Sequence, residues 1–351
     1  MSKGSRGFVE ISFGEGKGKK FSRTSSSLIM RTALVLSIIA VFFIGMVVLT
    51  ITSSNNLMNI DKNQVTNVPS NILPSYSSCS FSSYDNQTNL SGWFFKCENP
   101  ISTIIVVHDS GSNRLPFGVN MIDMIEEWLD NDYNVFLFDL RNSGESGGDI
   151  TTYGYLEWQD VIGAISQVRQ ISVTTDVILY GIGSGTTACI MAYDKLPAPD
   201  TPEHELDNYD PEILALGYDQ SYIIGMIFDS PAKNSDDYIK TKVRQTQFLG
   251  SLTQGIVPYA IRVSAGESSS VNLIAEISRL PMPVCIIYGG HDMFIGADKI
   301  SQIVDERNRL NSTITVSQMI PGAGYLESFS QGKEMYMKTV LNFLQSYFIE
   351  S

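Results

Sequence analysis

From about residue 73 onward, short apolar runs alternate with amphipathic stretches, and this spacing predicts alternating strands and helices. The segments SSCSFSSY, LSGWFFKC, STIIVVHD, NVFLFDLR, DVILYGIG, YIIGMIFDS, PVCIIYGG and TITVSQMI read as strands. Several are near-continuous Val, Ile, Leu and Phe, the pattern of strands covered on both faces of a parallel sheet. The first two flank YDNQTN, a turn sequence, and predict an antiparallel hairpin. VNMIDMIEEWLDND places Val119, Met121, Ile122, Ile125 and Leu129 along one side of a helix, and YLEWQDVIGAISQVRQI does the same with Leu156, Val161, Ala164, Ile165 and Val168. A last helix is predicted from about Lys333 to Tyr347. The alternation implies an α/β fold: one domain over 73–351, with a mostly parallel, doubly wound sheet of about eight strands and helices on both faces. The stretch at about 195–220 breaks the rhythm; it holds seven acidic residues among prolines and reads as a surface insertion.

The N-terminal part has a different pattern. Ala33 to Ile51 contains no charge and is about the length of a helix that crosses a bilayer core. It is too long, and begins too far into the chain, for an ordinary signal peptide, and no small-residue cleavage site follows it. The expected organisation is therefore a basic cytoplasmic tail at 1–31, a transmembrane anchor at 32–52, a polar stalk at 53–72 and an ectodomain at 73–351. Seven Lys and Arg precede the span and the first charges after it are Asp61 and Lys62, which places the N-terminus in the cytoplasm and the C-terminal domain outside. The tail has five surplus positive charges in a chain of net charge −13, leaving −18 on the remainder. So acidic a domain argues against nucleic acid as a partner. The membrane is the partner the sequence predicts.

Cys79 and Cys97 lie at nearly equal distances from the turn, where they would face each other across the hairpin, and an extracytoplasmic compartment permits a disulfide between them. Cys189 and Cys285 sit in apolar runs and read as core residues. Asn86, Asn89 and Asn311 begin Asn-x-Ser/Thr sequons, which matter only where the host glycosylates exported proteins. No Cys/His spacing suggests a metal site, and no cofactor is implied.

The chemistry centres on GIGSGTT at 181–187, between an apolar strand and a helical stretch. A phosphate loop needs a Lys that is missing here, and a dinucleotide loop needs a third Gly where the chain has Thr186. The other strand–corner–helix device is the G-x-S-x-G elbow that presents a nucleophile. The surrounding segments favour it. LSGWFF, IIVVHDSGSNR, NVFLFDLRNSGESGGD, GIGSG, FDSP, PVCIIYGGHD and IPGAGYLESF occur in the order found in the α/β-hydrolase superfamily, and the chain resembles its serine-aminopeptidase-like, membrane-associated branch over nearly the whole domain. The resemblance implies an α/β-hydrolase fold, a nucleophile at Gly183, an acid at Asp292, a base at Tyr325, and oxyanion-hole backbone amides at Ser110 and Ser184.

At those positions the sequence departs from the family. Gly183 has no side chain, and Ser184 stands one place late. Tyr325 occupies the place of the family's His, and Asp109 that of a Gly in the oxyanion loop. None of the three histidines, His108, His204 and His291, follows Asp292. A serine hydroxyl needs a nearby base of suitable pKa, and a phenol near 10 is a poor one at neutral pH. We expect the Tyr325 hydroxyl to donate a hydrogen bond to Asp292. Three readings remain open: an inactive pseudo-hydrolase that uses the fold as a binding or scaffolding ectodomain, with a small-molecule or protein ligand at the hydrolase pocket; an active esterase or peptidase with Ser184 or Ser110 as nucleophile, assisted by Asp292 or Tyr325; and a purely structural surface protein.

Overall fold

The computed structural model describes residues 23–65, 68 and 72–349. Most of the basic tail and part of the expected stalk lie outside the described residues. All eight predicted strands form: β1 (Tyr76–Ser82), β2 (Asn89–Phe95), β3 (Ser102–Val107), β4 (Tyr133–Phe138), β5 (Val177–Ile182), β6 (Ile223–Asp229), β7 (Val284–Gly289) and β8 (Thr315–Ile320). They make one sheet in the order β1-β2-β4-β3-β5-β6-β7-β8. β2 runs antiparallel to β1 and β4, and the other pairs are parallel.

Every residue of β3, β4 and β5 is buried, which explains their largely apolar sequence. The pleat sends alternate side chains to opposite faces. Ile105 and Val107 enter one core, with the helices Trp158–Ile171 and Gly185–Lys195. Ile104 and Val106 enter the other, with the helices Met121–Asp130 and Lys333–Phe348. The helix Met121–Asp130 buries Met121, Ile122, Met124, Ile125 and Trp128, whereas Val119 is exposed and Leu129 half-buried. Its inward face is thus rotated toward Trp128 from the predicted stripe. The acidic insertion carries two single-turn helices, Glu203–Leu206 and Pro211–Leu214, on the surface.

The chain divides into two compact units, Met1–Val48 and Leu49–Ser351. The first contains most of the helix Arg23–Met58, whose Ser27–Met58 portion is long and apolar enough to cross a membrane. Within this unit Leu34, Val41, Phe42 and Phe43 are exposed.

In the second unit the first part of the expected polar stalk packs against the domain. Its first residues continue the helix, and Leu57 and Met58 are buried in the domain core. The Met58 carbonyl accepts hydrogen bonds from Thr151 N at 2.9 Å and Asn142 Nδ2 at 3.2 Å. Lys62 Nζ donates to the Ser146 carbonyl at 2.6 Å, and Gln64 Nε2 to the Gly144 carbonyl at 2.7 Å. These polar side chains satisfy backbone carbonyls of the domain as well as meeting water.

The expected disulfide is also corrected. The hairpin register sets Cys79 opposite Gly92 and Tyr76 opposite Phe95, so Cys97 lies beyond the paired residues. Both thiols are free, and the Cys97 backbone N–H donates to Asn134 Oδ1 at 3.0 Å. Of the sequon residues, Asn86 and Asn89 are exposed, while Asn311 is half-buried with its Nδ2 donating to the Ser278 carbonyl at 2.8 Å.

The segment after β4 is organised by two buried carboxylates. Asp139 accepts from Arg114 N at 2.7 Å, Arg114 Nε at 3.0 Å and Glu145 N at 2.8 Å. Gly144 is left-handed, at φ +44°, and a Cβ there would collide with the Asp139 carboxylate. Asp160, fully buried, accepts from Arg141 N at 2.8 Å and Arg141 Nη2 at 2.8 Å. Arg141→Met would leave that carboxylate buried without its cation. Equilibrium denaturation should show a loss of about 3–5 kcal/mol for this variant, against a change within about 0.5 kcal/mol for Lys96→Met at an exposed site.

Candidate functional site

The site is built on the corner after β5. Gly183 carries the left-handed turn, at φ +53°, and its N–H donates to the Asp229 carbonyl at the end of β6, at 2.9 Å. Ser184 is right-handed, at φ −64° and ψ −17°, and caps the helix Gly185–Lys195. The outer glycines are required by packing. A Cβ on Gly181 would sit 2.9 Å from Thr186 Cα, and one on Gly185 would collide with the Val107 carbonyl of β3. The left-handed residue of the corner is therefore Gly183, and the adjacent serine is the right-handed residue that precedes the helix.

Where a side chain at 183 would stand, other atoms are packed. A Cβ there would meet the Tyr325 hydroxyl and would lie 2.7 Å from both Cγ and Oδ1 of Asp109. Tyr325 comes from the loop after β8, with its ring stacked on Phe294 at 4.4 Å between centroids. Its hydroxyl is buried and makes no hydrogen bond of good geometry. Burial first, and then the adjacent Asp109 carboxylate, push its pKa well above the ordinary tyrosine value.

Asp109 points into the corner. Its Oδ1 accepts from Ser184 N at 2.8 Å and from Ser184 Oγ at 2.6 Å. The Ser110 N–H donates to Ser184 Oγ at 3.0 Å, and the two serine hydroxyls lie 2.8 Å apart. The backbone amides of Ser110 and Ser184, which the sequence offered as oxyanion donors, are thus both engaged within the protein. Hydrogen bonds to a carboxylate are about twice as strong as neutral ones, so an incoming carbonyl oxygen has a strong competitor at Ser184 N.

Asp292 follows β7 and is 2% exposed. Its Oδ1 accepts from Phe294 N at 2.7 Å and Ile295 N at 2.9 Å, while Oδ2 is buried without a partner. Burial is the main cause that raises its pKa, opposed by these backbone donors. The expected Tyr325–Asp292 hydrogen bond does not form. A phenol is longer than an imidazole, and the Tyr325 hydroxyl ends over Gly183 beside Asp109.

His108 is fully buried, its Nε2 accepting from Leu140 N at 3.0 Å and its Nδ1 donating to the Asp109 carbonyl at 2.8 Å. Both ring nitrogens are used, which fixes the neutral tautomer, and burial lowers its pKa. His291 is exposed, as is His204 on the acidic insertion.

Sequence reading missed two parts of this arrangement. Asp109 was visible as a departure from glycine, but its direction was not. The polar segment after the helix gave no sign that Asn63 Nδ2 would reach the Gly111 carbonyl at 3.5 Å, or that Ile60 would pack beside Gly111.

No protein-family model matches the chain. It is 21% identical over 261 residues to the uncharacterized protein YqkD of Bacillus subtilis strain 168, covering 74% of this chain and 76% of that protein. It is 25% identical over 271 residues to the uncharacterized protein YfhR of Escherichia coli O157:H7, covering 74% and 77%. Among solved structures it is similar to the Pyrococcus furiosus esterase Pf2001, with a TM-score of 0.61 and 19% identity over 83% of this chain and 98% of that one. It is also similar to Est1E of Butyrivibrio proteoclasticus with ferulic acid bound, with a TM-score of 0.54 and 12% identity over 77% and 99%. The strand order and these likenesses establish an α/β-hydrolase fold.

The corner also gathers negative charge. Asp229 is fully buried, accepting from Tyr336 Oη at 2.8 Å and Ser230 Oγ at 2.8 Å. Burial chiefly, with repulsion from Asp292 and Asp109, raises its pKa to about 6. A carboxyl that binds its proton more tightly when folded stabilises the fold most at low pH, and that contribution is lost as pH rises from its unfolded value near 3.8 to about 6. In Asp229→Asn, stability measured by denaturation across this window should lose that downward slope relative to the parent.

Proposed function

We propose that this chain is a membrane-anchored α/β-hydrolase-fold protein that has lost serine-hydrolase chemistry and acts as a binding or scaffolding domain. In this reading Gly183, Asp292 and Tyr325 occupy the nucleophile, acid and base positions. The observation that carries the reading is the filled corner: Tyr325 Oη and the Asp109 carboxylate stand where a nucleophile's side chain would be. The same carboxylate holds Ser184 N, which would otherwise be free to stabilise an oxyanion. Loss of a triad member alone leaves only ~10³–10⁴-fold enhancement over water, from the oxyanion hole and substrate binding. Here the oxyanion donors are engaged as well. The helix Arg23–Met58 supports a single-pass anchor with the N-terminus cytoplasmic, since the basic residues precede its apolar part. Any ligand would bind outside the filled corner.

The esterase neighbours keep a second reading in view. Its structural support is the 2.6 Å contact of Ser184 Oγ with Asp109 Oδ1, a hydroxyl already paired with a carboxylate. Against it, Ser184 is 2% exposed and its oxygen also accepts from Ser110 N.

Labelling with a serine-directed fluorophosphonate separates the two. The native chain should not label, and neither should Ser184→Ala. The triple variant Asp109→Gly/Gly183→Ser/Tyr325→His, confirmed as folded by circular dichroism, should label at position 183. Asp109 must be included because of its 2.7 Å approach to the new side chain. Labelling of the native chain that disappears in Ser184→Ala would establish the active reading instead.

A further inference from the structure

The connection between β6 and β7 carries an exposed apolar surface that the candidate site does not use. Phe248, Leu249, Leu252, Ile256, Tyr259 and Val263 are each between 46% and 76% exposed, within one short stretch of chain. Ile256, Tyr259 and Val263 follow an i, i+3, i+7 spacing that puts them on one side of the helix Val257–Ser264, while Val257 and Ile261 fill the core from the other. An apolar face turned outward on a helix whose inner face is already buried marks an interaction surface.

Two further observations say what covers it. The first is position. Gln247, next to Phe248, accepts a hydrogen bond through Oε1 from Asn56 Nδ2 of the long N-terminal helix, at 3.1 Å. Asn56 lies five residues after Ile51, the last residue of the apolar stretch 33–51, and five helical residues span roughly 7.5 Å. The apolar face therefore begins one side-chain contact away from the helical turn that follows that stretch. The second is charge. From Tyr238 to Gly266 the chain has Lys240, Lys242, Arg244 and Arg262 and no Asp or Glu, although the protein as a whole has net charge −13. Lys242 and Arg244 are exposed just before the apolar residues. Apolar side chains flanked by basic ones are the composition of a segment that lies in the headgroup region of a bilayer.

We propose that residues 248–263 form a second membrane contact, inserting their apolar side chains into the outer boundary of the same bilayer, with Lys242 and Arg244 against lipid phosphates. The proposal rests on the reading that the N-terminal helix spans that membrane.

The test uses the full chain in nanodiscs containing phosphatidylcholine and phosphatidylserine, with and without acyl-brominated lipid, which quenches only indole in contact with acyl chains. Three tryptophan variants are compared with the parent: Leu252→Trp in the surface, Ile39→Trp in the span, and Val173→Trp at an exposed site just before β5. Added emission from Leu252→Trp should fall at least twofold with brominated lipid, as should that from Ile39→Trp, while that from Val173→Trp should not change. Quenching of Ile39→Trp without Leu252→Trp would overturn the surface contact and leave the anchor standing. Absence of quenching at both would overturn the anchor, and the proposal with it. A blue shift of Leu252→Trp that depends on protein density and not on bromine would assign the surface to a second copy of the chain and overturn the lipid proposal.

Discussion

One carboxylate organises the centre of this molecule. Asp109 Oδ1 accepts both the backbone N–H and the hydroxyl of Ser184, and its Cγ lies within 2.7 Å of where a side chain on Gly183 would begin. These contacts tie the loop after β3 to the corner after β5. They also make the corner self-complementary. The two backbone donors of the corner are satisfied within the chain, Ser184 N by the Asp109 carboxylate and Ser110 N by the Ser184 hydroxyl. The Tyr325 hydroxyl closes the remaining space. Gly183 fits this arrangement for two reasons: it accepts φ +53° without the strain another residue would carry, and it leaves room for the atoms packed against it.

The surrounding fold holds the corner in place. Gly181 and Gly185 allow the helix Gly185–Lys195 to approach β3 and β5 closely. Asp139 and Arg141 fasten the segment after β4 through buried ion pairs. That segment in turn receives the chain leaving the N-terminal helix, through Asn142, Gly144 and Ser146. Hydrogen bonds from residues 58–64 thus reach the loops that frame the corner.

The fold was legible because burial on both faces writes itself into β3, β4, β5 and β7 as largely apolar runs. The elbow register was legible because the three alternating glycines meet different steric demands. What could not be read is mostly a matter of register and side-chain direction. Cys79 and Cys97 are equidistant from the turn, yet the hairpin pairs Cys79 with Gly92. Asn63 and Gln64 look solvent-seeking, yet their amides serve carbonyls of the domain. Tyr325 was expected to meet Asp292, but the extra length of a phenol carries its hydroxyl to Asp109 and Gly183. Asp109 itself was visible only as a departure from glycine, since composition does not tell which way a carboxylate points.

Tyr325 and Asp109 occupy the space that a side chain at 183 would need. The most direct measurement is a double-mutant cycle between Gly183→Ala and Tyr325→Phe, by chemical denaturation of the solubilised chain followed through the emission of Trp93, Trp128 and Trp158. Gly183→Ala should be strongly destabilising, and Tyr325→Phe should recover part of the loss, with a coupling on the order of 0.5–3 kcal/mol. Strictly additive effects would mean that the Tyr325 hydroxyl does not stand over Gly183, and would contradict the account.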